Sequence, residues 1–257
     1  MKFARFELEG AIRQGVVEKE SIREITGNVF TEWEYTGRTF IREDVKLLAP
    51  IQPNQIIGIG ANYVKAVSEL PEKLPDIPVF FFKPTSSVIG PGEDIIIPEG
   101  IEEVKFESEL AVVIGKEAKN LSASNVREHI FGYTIGNDVT APQFIHPDGH
   151  WTVGKSFDTF TPLGPYIETE LDLTNIRVKA TLDGVEKQNS GMDLIIVSVE
   201  KMVAYLSNVM TLKPGDVILT GSPVGAELVG AGSTIDCHID EIGSLNNAFS
   251  KVKVSVN

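Results

Sequence analysis

Apolar and polar residues alternate along much of the chain in the way that β-strands require. Residues 104–114, VKFESELAVVI, alternate and then become continuously apolar, as a strand does when it enters a buried sheet. The shorter apolar runs at 55–60 and 78–84 are bounded by glycine or proline and predict two more buried strands. Residues 177–187 predict a hairpin that turns at the Asp-Gly pair 183–184.

Helical periodicity is confined to a few segments. The apolar residues of 198–212 recur at intervals of three and four, which predicts one clear amphipathic helix. Shorter helices are predicted over 63–74, which Pro75 ends, and over 124–133. Strands outnumber helices and do not alternate with them regularly. The pattern therefore predicts an α+β, mainly β fold rather than a doubly wound parallel sheet.

The distribution of glycine and proline predicts two domains. Residues 1–48 form short strand-like segments broken by glycines, and Pro50 and Pro53 follow them. Such punctuation is typical of a boundary between separately packed units. We therefore predict a small N-terminal domain over 1–48 and the main domain over 49–257.

Composition and charge restrict the partners. Hydrophobic residues make up 42% of the chain and charged residues 23%, which is ordinary for a globular protein with a substantial core. The net charge of −13 without a basic cluster argues against nucleic acid and anionic membranes as partners. The first residues lack the apolar run of a signal peptide, and no segment has the length of a membrane span, so we expect a cytoplasmic protein. The single cysteine, Cys237, excludes an internal disulfide and a cysteine metal cluster.

Three acidic residues are the main candidates for chemistry. Glu107 and Glu109 are two apart on the predicted strand 104–114, so both side chains point to one face. Two such carboxylates repel each other unless a positive charge lies between them. Asp138 follows a second apolar segment and completes an all-oxygen set, which suits Mg²⁺, Mn²⁺ or Ca²⁺ better than zinc. The simpler interpretation is the solvated strand edge of an acidic protein.

A phosphate-loop pattern, Gly149–Ser156 (GHWTVGKS), suggests nucleotide binding but lacks the structural setting for it. A phosphate loop needs a buried strand before it and a helix after it. Here a loop-like segment precedes the pattern, and Pro162 and Pro165 soon follow. These prolines prevent a persistent helix, so we reject ATP or GTP binding.

The ordered segments of the chain resemble the fumarylacetoacetate hydrolase family over about residues 56–248. The closest branch contains small acylpyruvate hydrolases, oxaloacetate decarboxylases and 2-hydroxyhepta-2,4-diene-1,7-dioate isomerases. The resemblance implies a rolled, mixed β-sandwich with a small N-terminal domain, a homodimer, and Mg²⁺ or Mn²⁺ held by Glu107, Glu109 and Asp138. The strings that carry it are GIGANYVKAVSE, PVFFFKPTSSVIGPGE, VKFESELAVVIGK, FGYTIGNDVTA, GKSFDTFTPLGP, LSNVMTLKPGDVILTGSPVG and IGSLNN.

The same resemblance implies roles for four further residues. Lys155 is similar to the family's lysine beside the substrate oxygens, and Thr220 and Lys83 to residues that line the substrate pocket. The acid/base dyad of the family's hydrolases has its glutamate at Glu69, but Ala66 stands in place of the histidine. Pro142 also replaces an arginine that would bind a carboxylate. Without the family, Lys155 and Lys83 would be interpreted as surface or strand-end lysines, and Thr220 as a turn residue.

The resemblance therefore implies a divalent-metal-dependent enzyme that acts on a small 2-oxo acid through a metal-bound enolate. The reaction is either C–C hydrolysis of the acylpyruvate or fumarylacetoacetate type, or isomerisation of 2-hydroxyhepta-2,4-diene-1,7-dioate. Two alternatives stay open. One is an oxaloacetate-type decarboxylase. The other is a catalytically silent protein that binds a metal and a 2-oxo acid, because Ala66 cannot accept a proton.

Overall fold

The computed structural model describes residues 1–252. Within this range the chain forms nineteen strands and one α-helix, α1 (Val199–Val209), joined by loops and short 3-10 turns. The strands are β1 Lys2–Leu8, β2 Ala11–Glu18, β3 Ser21–Gly27, β4 Trp33–Ile41, β5 Lys46–Leu47, β6 Ile56–Ile59, β7 Phe80–Lys83, β8 Val88–Ile89, β9 Ile95–Ile97, β10 Glu103–Lys105, β11 Ser108–Ile114, β12 Ile130–Asn137, β13 Thr161–Glu168, β14 Arg177–Leu182, β15 Val185–Gly191, β16 Val217–Leu219, β17 Leu228–Gly230, β18 Thr234–Ile239 and β19 Gly243–Lys251.

The strands form a large mixed sheet, a five-stranded sheet and the small pair β10–β17. The large sheet has the order β4-β3-β2-β1-β13-β12-β11-β16-β6-β7, with β5 beside β1 and β8 beside β13. The five-stranded sheet has the order β15-β14-β18-β19-β9. Most neighbours are antiparallel, and β6 with β16, β8 with β13, and β9 with β19 are parallel. The predicted mainly β, mixed-sheet fold is therefore confirmed.

The two larger sheets pack face to face around the centre of β11. All seven residues of β11 are buried, so its two faces cover different parts of the core. Leu110 and Val112 belong to the main apolar core, which also contains residues of the five-stranded sheet. Ala111 and Val113 point to the other face and pack with apolar residues of β1 and β2. The period of two in the sequence therefore places β11 between two apolar layers.

The N-terminal strands continue the large sheet, because β1 pairs with β13. Residues 1–48 thus contribute an antiparallel meander, β1 to β4, and the short strand β5. The boundary between domains at residues 48 and 49 stays a prediction. No helix within residues 1–252 combines the length and the apolarity needed to cross a membrane.

Most strands and the clear helix form where they are predicted. Helix α1 begins after Ser198, whose hydroxyl accepts a hydrogen bond from the Lys201 backbone N–H, and it buries one apolar face. The predicted hairpin is β14–β15, and Asp183 and Gly184 both adopt positive φ at the turn. The apolar runs at 55–60 and 78–84 contain β6 and β7.

Of the two short predicted helices, the one over 63–74 is wrong, and the one over 124–133 is confirmed in part as a shorter 3-10 helix. Within 63–74 only Val67–Glu69 turns, as a single 3-10 turn, and its residues are exposed. Within 124–133 a 3-10 segment, Ala123–His129, is followed directly by β12. The first segment has no core to cover and meets Pro71, so a helix there gains no packing energy. In the second, Ile130 and Phe131 are recruited into the large sheet, and tertiary pairing overrides local propensity.

Candidate active site

The antiparallel register of β11 and β12 brings three carboxylates together. Ser108 pairs with Asn137, so the preceding residue Glu107 faces Asp138 across the two strands. The Asp138 N–H donates to the Glu107 carbonyl at 2.9 Å, which fixes this pair. Glu109 lies two residues along β11 and points to the same face as Glu107. The sheet itself therefore assembles the three residues.

We call Glu107, Glu109 and Asp138 the carboxylate cluster. One ligand oxygen from each residue lies within 4.8 Å of the other two. Glu109 is 2% exposed and Asp138 is 1% exposed, so water screens little of their charge. The structure thus brings together the three residues that the sequence predicts as metal ligands.

Burial and mutual repulsion act strongly on Glu109. Burial raises the pKa of Glu109 well above its usual range, and the neighbouring charges of Asp138 and Glu107 raise it further. The Lys155 ammonium and the Gly221 N–H offset only part of this effect. A cation beside Glu109 would therefore stabilise its ionised form.

Asp138 has a different balance of charges. Burial alone would raise the pKa of Asp138, but Lys155 and Lys83 together hold it below its ordinary value. Lys83 Nζ donates to Asp138 Oδ1 at 2.6 Å, and Lys155 Nζ donates to Asp138 Oδ2. Asp138 is therefore held in its ionised form by the protein's own cations.

Lys155 lies at the centre of the site. Its Nζ also donates to Glu107 Oε2 at 2.8 Å and to Thr140 Oγ1 at 3.0 Å. The ammonium lies 4.6 Å from the centre of the Phe81 ring, so it has an aromatic face on one side. Burial would lower the pKa of Lys155, but the carboxylates of Asp138 and Glu107 raise it above its ordinary value. Lys155 is a fixed cation within reach of a ligand bound at the cluster.

Two supporting contacts hold the glutamates in place. The side-chain oxygen of Asn137 accepts from the Glu107 N–H at 2.9 Å. The Gly221 N–H donates to Glu109 Oε2 at 2.7 Å. Gly221 has φ +95°, and a Cβ there would lie 2.7 Å from Asn62 Cβ, so both the backbone and the space require glycine.

A cavity of about 560 Å³ opens over the cluster. The three carboxylates, Lys105 and Lys155 line its polar side. Its size suits a small organic ligand rather than a polymer. The rest of the wall is largely apolar and includes Ile59, Phe81, Pro142, Ile145, Trp151 and Val224.

The other predicted site residues, Lys83, Thr220 and Glu69, do not line the cavity. Lys83 reaches the cluster through Asp138, but it is fully buried and not part of the cavity wall. The Thr220 hydroxyl donates to the Leu110 carbonyl at 2.9 Å and is buried. Glu69 lies on the exposed 3-10 turn, where its carboxylate accepts from the Lys65 N–H, and it does not line the cavity. The substrate-binding roles of Lys83 and Thr220 and the catalytic role of Glu69 stay predictions.

Sequence reasoning assigned no role to four residues that the structure places at the site. Asn137 and Gly221 orient the glutamates, and Lys105 and Trp151 line the cavity. Asn137 and Gly221 lie inside segments that resemble the family, directly beside Asp138 and Thr220. Their position next to a candidate residue in the sequence is the feature that could identify them. Trp151 had no such signal, because a loop brings its ring against Gly60 from a distance in sequence.

The cluster fits a hard divalent cation. Its donors are carboxylate oxygens, which Mg²⁺, Mn²⁺ and Ca²⁺ prefer. In the described chain Glu109 receives one hydrogen bond, from a backbone N–H, although it is almost completely buried. A carboxylate in that position has room for one more positive partner. Glu107, Glu109 and Asp138 would hold such a cation.

Two family models match the chain. Residues 55–250 match the model described as fumarylacetoacetate (FAA) hydrolase C-terminal, and residues 1–50 match the model Rv2993c-like, N-terminal. The first match covers more than half of the chain and includes the whole carboxylate cluster. The chain belongs to the fumarylacetoacetate hydrolase family. The resemblance inferred from the sequence is thereby confirmed.

Relatives within the fumarylacetoacetate hydrolase family have several activities. The chain is 40% identical to a mitochondrial oxaloacetate tautomerase of Xenopus laevis over 219 residues, covering 80% of this chain and 69% of that one. The structure of 5-carboxymethyl-2-hydroxymuconate delta-isomerase from Mycobacterium smegmatis is 36% identical, with a TM-score of 0.92 over 98% of this chain and 100% of that one. Maleylpyruvate hydrolase from Sphingobium sp. SYK-6, solved with manganese(II) and pyruvate, is 26% identical, with a TM-score of 0.81 over 98% and 99%. Tautomerases, isomerases and hydrolases thus share this fold.

Proposed function

We propose that the protein is a divalent-metal-dependent enzyme that acts on a small 2-oxo acid by forming an enolate. The observation that carries the proposal is the convergence of three buried carboxylates and Lys155 at one end of an otherwise largely apolar cavity. This donor set suits a divalent cation, and 2-oxo acids offer such a cation two oxygens. The manganese and pyruvate in maleylpyruvate hydrolase, a structure of the same family, support both parts of the proposal.

The side chains divide the work by position. When bound, a divalent cation polarises the keto group of the substrate as a Lewis acid. Lys155 holds a positive charge beside the same place and would stabilise negative charge that develops on the substrate oxygens. Phe81 and Trp151 limit the water around this ammonium, which strengthens its effect.

Among the possible reactions, keto–enol tautomerisation or double-bond isomerisation is favoured over hydrolysis. Hydrolysis needs a base that activates water, and the position of the dyad histidine is Ala66. Isomerisation moves a proton without adding water and depends more on stabilisation of the enolate. The tautomerase and isomerase among the relatives, at 40% and 36% identity, are also closer than maleylpyruvate hydrolase at 26%. Hydrolysis and decarboxylation are the competing reactions in the same assay.

The decisive assay is turnover of a substrate panel with Mg²⁺, Mn²⁺, Ca²⁺ or a chelator. The panel contains oxaloacetate, followed separately for tautomerisation and decarboxylation, acylpyruvates, and 2-hydroxydiene-dioates. We expect metal-dependent turnover of at least one compound, and a fall of about a hundredfold in kcat for Lys155→Met. Lys116→Met is the control, because Lys116 lies on the loop after β11 and outside the cavity wall. Absence of metal-dependent turnover across the panel would contradict the proposal.

Glu69 is the proposed proton acceptor only for a state in which the largely exposed segment 65–75 moves over the cavity. Its carboxylate is exposed in the structure, so such a movement is required for contact with a substrate. Glu69→Gln should then lower kcat about a hundredfold and leave Mg²⁺ affinity unchanged. An unchanged kcat would remove Glu69 from the mechanism.

A silent binding protein is the second candidate, and Ala66 is the observation that favours it. Such a protein would bind Mg²⁺ and oxalate in calorimetry but turn over no member of the panel. Activity gained by Ala66→His would then identify the missing histidine as the cause. The predicted homodimer is also a proposal, and light scattering of the purified protein tests it.

A further inference from the structure

Lys105 differs from the other cations of the site in its freedom to move. Its side chain is 37% exposed, whereas that of Lys155 is 5% exposed and that of Lys83 is fully buried. Lys105 Nζ has one carboxylate partner, Glu107 Oε1 at 2.7 Å. Lys155, by contrast, contacts Glu107, Asp138 and Thr140 at once. Of the two cationic residues that line the cavity in the described chain, Lys105 is therefore the one that can reorient.

The backbone of Lys105 is held firmly at the cavity. Its N–H donates to the Thr140 carbonyl at 2.7 Å, and its carbonyl accepts from the Thr140 N–H at 2.9 Å. Residue 105 also ends β10, which pairs with β17. A flexible four-carbon stem on a fixed backbone lets the ammonium reach different points of the cavity while its base stays in place.

The charges of the site favour a ligand with two negative charges. In their ionised forms the three carboxylates of the cluster balance the ammonium groups of Lys83, Lys105 and Lys155. A divalent cation adds two positive charges to this balanced set. A monocarboxylic 2-oxo acid neutralises one of them, and a dicarboxylic 2-oxo acid neutralises both.

The structure also indicates which side chain would carry the uncompensated positive charge when a cation is bound. Glu107 is the one carboxylate that Lys105 contacts, and Glu107 is also one of the residues that would hold the cation. A cation held by Glu107 would compete with Lys105 for that carboxylate and repel its ammonium. Lys105 is then an unpaired cation on a wall whose neighbours are mostly apolar. A carboxylate at the far end of a bound substrate is the partner that fits it.

We infer that Lys105 binds the distal carboxylate of the substrate, so that the enzyme selects dicarboxylic over monocarboxylic 2-oxo acids. This inference rests on the proposed function, because it requires a 2-oxo acid at the carboxylate cluster. It assigns the recognition of the second carboxylate to a lysine on β10. The family resemblance implies an arginine that binds a carboxylate at position 142, where this chain has Pro142.

The test compares pairs of acids that share a carbon chain and differ in the distal carboxylate. The pairs are oxaloacetate with 2-oxobutanoate, and 2-oxoglutarate with 2-oxopentanoate. Calorimetry with the Mg²⁺-loaded full chain measures binding, and oxaloacetate is followed by its KM if it is turned over. We expect the wild type to prefer the diacid at least about tenfold in one pair or both, which is the effect of one charge-assisted hydrogen bond.

The variants separate charge from structure. Lys105→Met should remove the preference and leave the affinity for the monoacid within about threefold. Lys105→Arg should retain the preference, because the charge is kept. Lys46→Met is the matched control. Lys46 also pairs with one glutamate, Glu93, its side chain is exposed, and it does not line the cavity. Mg²⁺ affinity should not fall in Lys105→Met, whereas a merely structural role of the Lys105–Glu107 contact would lower it.

The outcomes also distinguish the inference from the function on which it rests. A diacid preference that survives in folded Lys105→Met, or that is absent from the wild type, overturns the inference alone. Failure of all four acids to bind the Mg²⁺-loaded protein overturns both. If Lys105→Met does not fold, loss of the preference in Lys105→Gln supports the inference and retention overturns it.

Discussion

Glu24 on β3 and Glu109 in the carboxylate cluster are both almost completely buried, at 4% and 2% exposure. Glu24 receives three side-chain hydrogen bonds, from Arg13 Nη1 at 2.7 Å, Thr36 Oγ1 at 2.6 Å and Arg38 Nε at 2.5 Å. Glu109 receives one in the described chain, from the backbone of Gly221. We call Glu24 and its three donors the Glu24 cluster.

The pKa values of the two carboxylates are shifted in opposite directions. Burial alone would raise the pKa of each. The hydrogen bonds from Thr36, Arg13 and Arg38 more than offset burial and lower the pKa of Glu24, whereas that of Glu109 is raised. A buried carboxylate whose donors come from the protein stabilises the fold, and one that lacks them is suited to bind a ligand.

The largest expected effect is on metal binding by Glu109→Gln. Removal of one of three carboxylates should weaken Mg²⁺ binding by at least about a hundredfold. The free energy of unfolding without metal should stay the same or rise, because a neutral amide replaces a buried charge that has one hydrogen bond. Calorimetry and urea unfolding measure the two quantities. Glu103→Gln, at an exposed residue of β10, is the control, and unchanged Mg²⁺ affinity in Glu109→Gln would disprove the ligand assignment.

Mg²⁺ should raise the free energy of unfolding of the protein far more when Glu24 is substituted than when Glu109 is substituted. A ligand that binds only the folded state at a hundred times its Kd adds about 2.7 kcal/mol to the free energy of unfolding. We expect this gain in the wild type and in Glu24→Gln, and a gain of at most about 0.4 kcal/mol in Glu109→Gln, whose Kd is at least about a hundredfold higher. Thermal unfolding with and without Mg²⁺ measures it. An equal gain in all three proteins would place the metal site elsewhere.

Gly221→Ala should destabilise the protein by about 2–4 kcal/mol and weaken Mg²⁺ binding about tenfold. The substitution strains a positive φ and forces the new Cβ against Asn62, which moves the N–H that orients Glu109. Gly232→Ala is a close control, because Gly232 has φ +97° and nothing within 4 Å of the new Cβ. It should cost about 1 kcal/mol from backbone strain alone and leave Mg²⁺ binding unchanged. Equal losses in the two variants would show that the contact with Asn62 is unimportant.

The smallest expected effect is that of Glu24→Gln, about 1–2 kcal/mol of unfolding free energy at pH 7 with no change in Mg²⁺ affinity. Because the pKa of Glu24 is lowered in the folded state, its stabilising contribution is complete above the ordinary glutamate pKa of about 4.3. The contribution is lost as the pH falls through the lower folded-state pKa. Urea unfolding of the variant and the wild type should therefore converge below about pH 4. Glu34→Gln on the exposed strand β4 is the control, and a difference that persists at low pH would contradict the assignment.

The carboxylate cluster was predictable because its geometry is local to two strands. Glu107 and Glu109 need only the alternation of a strand, and Asp138 ends the apolar segment that becomes β12. The hairpin at Asp183 was predictable for a similar reason, since its turn depends on adjacent residues. The Glu107–Glu109 pair and the turn, which depend on a spacing of a few residues, are therefore recovered from the sequence, and Asp138 joins the pair through the register of β11 and β12.

The remainder of the site depends on contacts between distant residues. Lys105 is the exception, because it lies two residues from Glu107, and the alternation predicted for 104–114 already places the two side chains on one face. Trp151 approaches Gly60 from a loop. The failed helix near Glu69 has the same origin, because no core residue covers Val67, which is 57% exposed. Local patterns do not contain this information, so they do not place Glu69 relative to the cavity.

The pairing of Glu107 with Asp138 also sets where the chain tolerates a change in length. Residues 115–129 connect β11 to β12 outside the paired strands, so an added residue there leaves the facing positions intact. One residue inserted between Ser108 and Val112 would instead shift the partners and turn alternate side chains to the opposite face. An insertion at an exposed position of the connection should therefore leave cation binding intact, and an insertion in the strand should abolish it.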